Sequence, residues 1–269
     1  MRLPPTLAAA GLAAALAGCL ASTQQEVQLG REYAQQINAQ LPIVDDPEIN
    51  RYLTRLGDSL ARVADNRNLD WRFFIVDSRD VNAFAVPGGF IYINRGLIER
   101  MTSMSQLAAV VGHEIGHVTQ RHSVEQMAKQ QRANVGVTLA CVLTRACGTL
   151  AANQAIGLGA NALFARFSRA DEAEADRVGL DYVVRAGIDP TGMPETFRIL
   201  MAERARRPEG VDTWFITHPL EEDRIRQAEA IINAMPPERI SGLTRDSRAF
   251  QDFKRRVQAL PPSPPSPAG

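Results

Sequence analysis

Val110-Val111-Gly112-His113-Glu114-Ile115-Gly116-His117 carries two histidines four residues apart, with a glutamate directly after the first. On an α-helix, positions four apart lie about 40° apart around the axis, so both imidazoles leave one face and can hold one Zn²⁺. Glu114 flanks the metal rather than ligating it, placed to take a proton from the attacking water. The helix is expected to start near Ser103 or Ser105 and to run through Leu107, Val110, Val111, Ile115 and Val118. Gly112 and Gly116 weaken it by up to ~1 kcal/mol each relative to alanine. Their smallness therefore answers a need, either close approach of a neighbouring helix or of a substrate backbone. His122 follows His117 by five positions, about 140° round a continuous helix. It is expected at the surface or behind a ligand, and is not assigned to the metal.

Two histidines need at least one more protein ligand, and the candidate lies in Phe167-Ser168-Arg169-Ala170-Asp171-Glu172-Ala173-Glu174-Ala175-Asp176-Arg177. So many carboxylates together suit a solvated helix face. Yet Glu172 and Asp176 share one face, and Val178, Leu180, Tyr182 and Val183 follow before Gly187 closes the helix. A carboxylate ligand one turn before a second carboxylate suits zinc, the second group accepting a hydrogen bond from a ligating histidine and fixing its tautomer.

The rest of the chain frames this pair. With 30 basic and 30 acidic residues in 269, charge points neither to nucleic acid nor to an acidic substrate. A hydrophobic content of 45% is enough for a core. Residues 1–18 read as a signal peptide: Arg2, an Ala/Leu run from Leu7 to Leu16, then Leu16-Ala17-Gly18-Cys19. The pattern resembles bacterial lipoprotein signals, which implies cleavage before Cys19 and its acylation. Leu20 stands where an aspartate commonly retains lipoproteins in the inner membrane, so the expected address is the periplasmic face of the outer membrane.

Residues 19–45 form a tether and an N-terminal helix around Gln24 to Gln40. Asp46-Pro47-Glu48 then caps an amphipathic helix that repeats Ile49, Tyr52, Leu53, Leu56, Leu60 and Val63. From Trp71 the period changes. Trp71 to Asp77, Ala83 to Val86 and Phe90 to Ile93, the last two joined by Pro87-Gly88-Gly89, predict a sheet of about three strands. Its edge either offers backbone groups to an extended peptide or serves only the core. The predicted class is α+β, mostly α, with helices around a small sheet.

The histidine pair and Glu114, together with Ser168-Arg169, Glu172-Ala173-Glu174-Ala175-Asp176-Arg177, Asn82-Ala83-Phe84-Ala85, Pro87-Gly88-Gly89 and Thr217-His218-Pro219 followed by Arg224-Ile225, resemble the HtpX-type zinc metallopeptidases, relatives of the CAAX prenyl endopeptidases. The resemblance covers about Val81 to Ile232 and is closest to exported lipoprotein members. It implies a zincin-like endopeptidase with one Zn²⁺, ligated by His113, His117 and Glu172, with Asp176 behind them. It also places His218 and Arg224 at the border of the active site, as candidates for stabilising the oxyanion or holding the substrate carbonyl. A second role is open for His218, as a reversible fourth ligand. The implied substrates are misfolded or stalled envelope proteins. The competing reading is a non-proteolytic assembly factor that keeps zinc for structure.

The peptidase domain is expected over residues 46–258, interrupted by the Ala-, Gly-, Leu- and Val-rich segment 133–165. That segment is long enough for a membrane span, but a single span would put Glu172 across the membrane from His113. A mobile helical lid and a pair of core helices both fit. Cys141 and Cys147, six apart, can form a disulfide if a turn at Thr144-Arg145 separates them. The Pro/Ser-rich residues 259–269 are expected to be disordered.

Overall fold

Residues 71–94 form the sheet against which the histidine-bearing helix is laid. In the computed structural model, which describes residues 22–130, 166–206, 214, 217–219 and 222–264, two helices precede it. Helix α1, Thr23–Gln40, opens with a capping box between Ser22 and Gln25. Helix α2, Pro47–Ala64, opens on Asp46, whose carboxylate accepts from the Glu48 and Ile49 amides. Its apolar stripe, Ile49, Leu53, Leu56 and Leu60, is buried as the spacing predicts.

The strands are β1 (Arg72–Val76), β2 (Ala83–Val86) and β3 (Phe90–Asn94), in the order β1-β3-β2. Strands β2 and β3 make the antiparallel hairpin. Gly88 at φ 83° and Gly89 at φ 100° supply the left-handed backbone its turn requires. Strand β1 joins β3 in parallel. Its outer edge is covered by the α1–α2 connection, where Val44 donates to the Ile75 carbonyl and Asp77 to that of Pro42. All four residues of β2 are buried, so in this arrangement the hairpin serves the core and its edge is not open to solvent.

Helix α3, Arg95–Arg100, leads to α4, Met104–Thr119, in which every residue from Ser105 to Val118 is buried. After it come α5 (Arg169–Arg185), α6 (Gly192–Arg206), α7 (Glu222–Asn233), α8 (Pro237–Ile240) and α9 (Arg248–Gln258). Helix α9 buries Phe250, Phe253 and Val257 against α2. The start of the Pro/Ser-rich tail is fastened down: Arg95 donates to the Leu260 and Pro261 carbonyls, and Ser263 to Asp77. Among the described residues no helix is long and apolar enough to cross a membrane.

The close packing of α4 on α5 explains the glycines of the motif. A Cβ on Gly112 would lie 3.2 Å from the Gly179 carbonyl oxygen, and one on Gly116 would lie 3.0 Å from that of Ala175. The neighbouring helix, not a substrate, is what requires their smallness. Gly179 faces them: its Cβ would stand 3.0 Å from the His113 nitrogen and 3.1 Å from the Gly112 carbonyl carbon. These are backbone atoms, so relief requires the helices to separate. Gly179→Ala is expected to destabilise the protein by about 1–3 kcal/mol, a cost typical of overpacking, read as a lower urea midpoint. An unchanged midpoint would show that the helices part freely.

Candidate metal centre

The two helices bring their polar faces together at one end of this contact. From α4, His113 and His117 project side by side, with Nε2 atoms 3.0 Å apart. From α5, which starts in a capping box between Ser168 and Asp171, the first turn delivers Glu172. Its Oε1 lies 3.3 Å from His117 Nε2 and its Oε2 lies 3.6 Å from His113 Nε2. His218, in the segment before α7, adds Nδ1 at 3.0 Å from Glu172 Oε1 and 3.3 Å from His113 Nε2. One donor atom from each of the four residues falls within 4.8 Å of the others, and all four side chains are buried.

A shell of partners sets their orientation. Asp176, one turn beyond Glu172, lies 2.8 Å from His113 Nδ1. A carboxylate accepts, so the imidazole proton sits on Nδ1 and the Nε2 lone pair faces the cluster. Arg224 grips Asp176 with two parallel bonds, Nε to Oδ2 and Nη2 to Oδ1, each 2.8 Å. Its Nη1 pairs with Glu172 and donates to the Pro219 carbonyl. The guanidinium also lies 4.6 Å above the Phe197 ring. Every edge of it is thus occupied by the chain itself.

Electrostatics follows from burial and these pairings. Burial works to raise the carboxyls of Glu172 and Asp176. For Glu172 it is overcome by His218 and Arg224, and for Asp176 by Arg224 and His113, so both stay below the usual carboxylate range. Glu114 has no such cover: burial pushes it up, only partly opposed by His218 and His113. Burial holds His117 well below the ordinary imidazole value, which keeps its ring neutral. His218 moves the other way, because the negative charges of Glu172 and Glu114 outweigh its burial.

These residues suit a divalent metal. Several nitrogen and oxygen donors without a thiolate converge on one point, a set that zinc accepts. Both Glu114 carboxylate oxygens are buried without a hydrogen-bond partner among the described residues, and His218 Nε2 stands 3.7 Å away, beyond hydrogen-bond reach. An uncompensated buried carboxylate is costly, and a cation beside it offsets that cost.

His122 lies behind His117, its Nδ1 2.9 Å from His117 Nδ1. The 140° separation holds only on an unbroken helix, and α4 ends at Thr119. Arg121 then adopts φ 63°, and a new helical run occupies residues 122–130. Two aromatic residues that motif reasoning overlooked complete the walls: Phe167 stacks on His117 at 4.0 Å and Trp214 on His218 at 4.5 Å. Phe167 precedes the α5 cap and donates its amide to the Thr217 carbonyl, which ties the approach to α5 to the His218 segment. Cys19, Cys141, Cys147 and the segment 133–165 lie outside the described residues.

Comparison with known proteins agrees with this arrangement. A family model described as Peptidase family M48 matches residues 47–232. The chain is 33% identical over 228 residues to the beta-barrel assembly-enhancing protease of Escherichia coli K12, an alignment covering 82% of this chain and 46% of that protein. The corresponding protein of Yersinia pestis is 34% identical over 234 residues, covering 82% and 46%. The metalloprotease LoiP of Escherichia coli K12 is 29% identical over 205 residues, covering 76% and 79%. The chain thus spans less than half the length of the first two. With a family model across most of its length and with the histidine pair, Glu172 and His218 gathered at one point, the chain belongs to peptidase family M48.

Proposed function

We propose that the chain is a zinc-dependent endopeptidase of the periplasm, lipid-anchored through Cys19 to the outer membrane, acting on misfolded or stalled envelope proteins. The observation that carries the enzymatic part is Glu114, a buried carboxylate with no hydrogen-bond partner among the described residues, directly beside the cluster. The envelope setting rests on the lipoprotein-like start of the chain and on its similarity to the beta-barrel assembly-enhancing proteases and LoiP.

In this reading His113, His117 and Glu172 hold the zinc, which when bound supplies Lewis acidity to the scissile carbonyl and to water. Glu114 takes the proton from the attacking water and passes it to the leaving amine. Asp176 keeps the His113 Nε2 lone pair directed into the cluster. The resemblance makes Arg224 a candidate for the oxyanion or the substrate carbonyl; with its donors on Asp176, Glu172 and Pro219, it acts in this reading as a positioning residue that holds two carboxylates in place. His218, 1% exposed and in contact with both Glu172 and His113, is the fourth donor of a resting site and must withdraw before a peptide can enter.

A closed four-donor set is also what a structural zinc shows, and this favours the second reading, a non-proteolytic assembly factor. One experiment separates them. The purified protein with zinc should cleave unfolded casein, lose that activity to a chelator and regain it on zinc addition. A zinc-loaded protein that leaves casein intact would establish the second reading. His218→Ala is expected to raise casein cleavage severalfold by opening the site. A loss of the roughly 10²–10³-fold seen when an oxyanion donor is removed would instead assign His218 to transition-state stabilisation.

A further inference from the structure

His122 has no part in the chemistry assigned above, yet it is 4% exposed and sits behind one of the proposed ligands. Two Nδ1 atoms 2.9 Å apart require one proton between them, so one ring donates and the other accepts. With its Nε2 lone pair turned to the cluster, His117 carries its proton on Nδ1, and His122 Nδ1 is the acceptor. The proton of His122 then lies on Nε2, which makes no hydrogen bond among the described residues and stands 3.5 Å from the Glu174 carboxylate. His122 thus stands behind His117 as Asp176, held by Arg224, stands behind His113.

We propose that His122 is a positioning residue for the metal, an imidazole acceptor that fixes the tautomer and plane of His117, placed there by the turn that α1 holds at Arg121. This rests on the zinc reading of the site. Glu172 and Asp176 then have distinct tasks on one helix, as ligand and as partner of His113, while His122 serves His117 from the other side.

The turn is built for this placement. Arg121 takes the left-handed conformation that a non-glycine residue rarely adopts, and Glu26 of α1 holds it there, accepting from Arg121 Nε at 3.0 Å. Glu26 is 1% exposed and also accepts from Arg67 Nη1 at 2.8 Å, while Arg67 Nη2 donates to the Val118 carbonyl in the last turn of α4. The helix that follows the proposed lipid tether thereby grips the end of the histidine helix and the break that turns His122 back upon His117.

The test is a zinc titration of the metal-free full chain against a chromophoric chelator. His122→Phe, which fills the space without an acceptor, should weaken zinc binding by about 10–100-fold, the range for loss of a ligand's hydrogen-bonding partner. His122→Gln, whose amide oxygen can accept, should recover part of the affinity, and the thermal midpoints of the two metal-free variants should be alike. Packing alone would make the phenylalanine variant the better binder. Unaltered affinity in His122→Phe, or a glutamine variant as weak as the phenylalanine one, overturns the proposal alone. No zinc binding by the unaltered protein overturns the metal reading with it.

Discussion

Glu114→Gln is expected to bind zinc as the unaltered protein does and to lose about 10²–10⁴-fold in casein cleavage, the range that a positioned general base contributes. The substitution keeps size and shape and removes only the ability to take up a proton. Burial, which holds Glu114 above the ordinary carboxylate value, brings it nearer the pH at which it works, where a proton acceptor is most effective. The same burial gives a second, oppositely signed expectation. Glu114 is fully buried and its oxygens lack hydrogen-bond partners among the described residues, so its charge destabilises the metal-free fold. Glu114→Gln should therefore raise the melting temperature of the metal-free protein while abolishing cleavage. A variant that still cleaves within fivefold of the parent would remove Glu114 from the chemistry.

How far the sequence discloses this site depends on the range over which each placement is determined. His113, Glu114 and His117 lie within one helical turn and a half, so spacing alone sets their common face; Glu172 and Asp176 follow the same rule on α5. The caps at Asp46 and the turn at Pro87-Gly88-Gly89 are equally local, and the elements they bound are found where the pattern puts them. The parallel pairing of β1 with β3 is not local, since the hairpin partner β2 lies between them in the chain. His122 shows the limit most clearly. The 140° separation applies to a helix that continues, and the break at Arg121 has neither glycine nor proline to announce it. Beside the break lies Glu26, distant in the chain and buried between Arg67 and Arg121. Arg224 is a similar case: its register could be read, but whether its guanidinium turns to a substrate or to Asp176 is decided by burial.

Arg224→Ala is expected to destabilise the metal-free protein by about 3–5 kcal/mol at neutral pH, as removing one partner of a buried ion pair does. The arginine is 6% exposed and Asp176 is 4% exposed, so the paired bonds between them are shielded from solvent. The variant leaves two buried carboxylates, Asp176 and Glu172, with their principal cation gone. Arg224→Lys should recover only part of the loss, because an ammonium cannot reproduce the two parallel bonds. The pH dependence has a definite sign. In the unaltered protein both carboxyls are held below their unfolded values of 3.8 and 4.5, so the stability they contribute is fully present above those values and is lost as pH falls through the folded ones. Without Arg224 that hold weakens. The gap in urea-unfolding free energy between parent and variant should therefore be widest near pH 7 and narrow as the medium is acidified below about pH 4, where the unfolded chain takes up protons that the folded parent still refuses. A gap that stays constant over this interval would mean that Arg224 supports the fold through packing on Phe197 and not through the charges it holds beside the metal ligands.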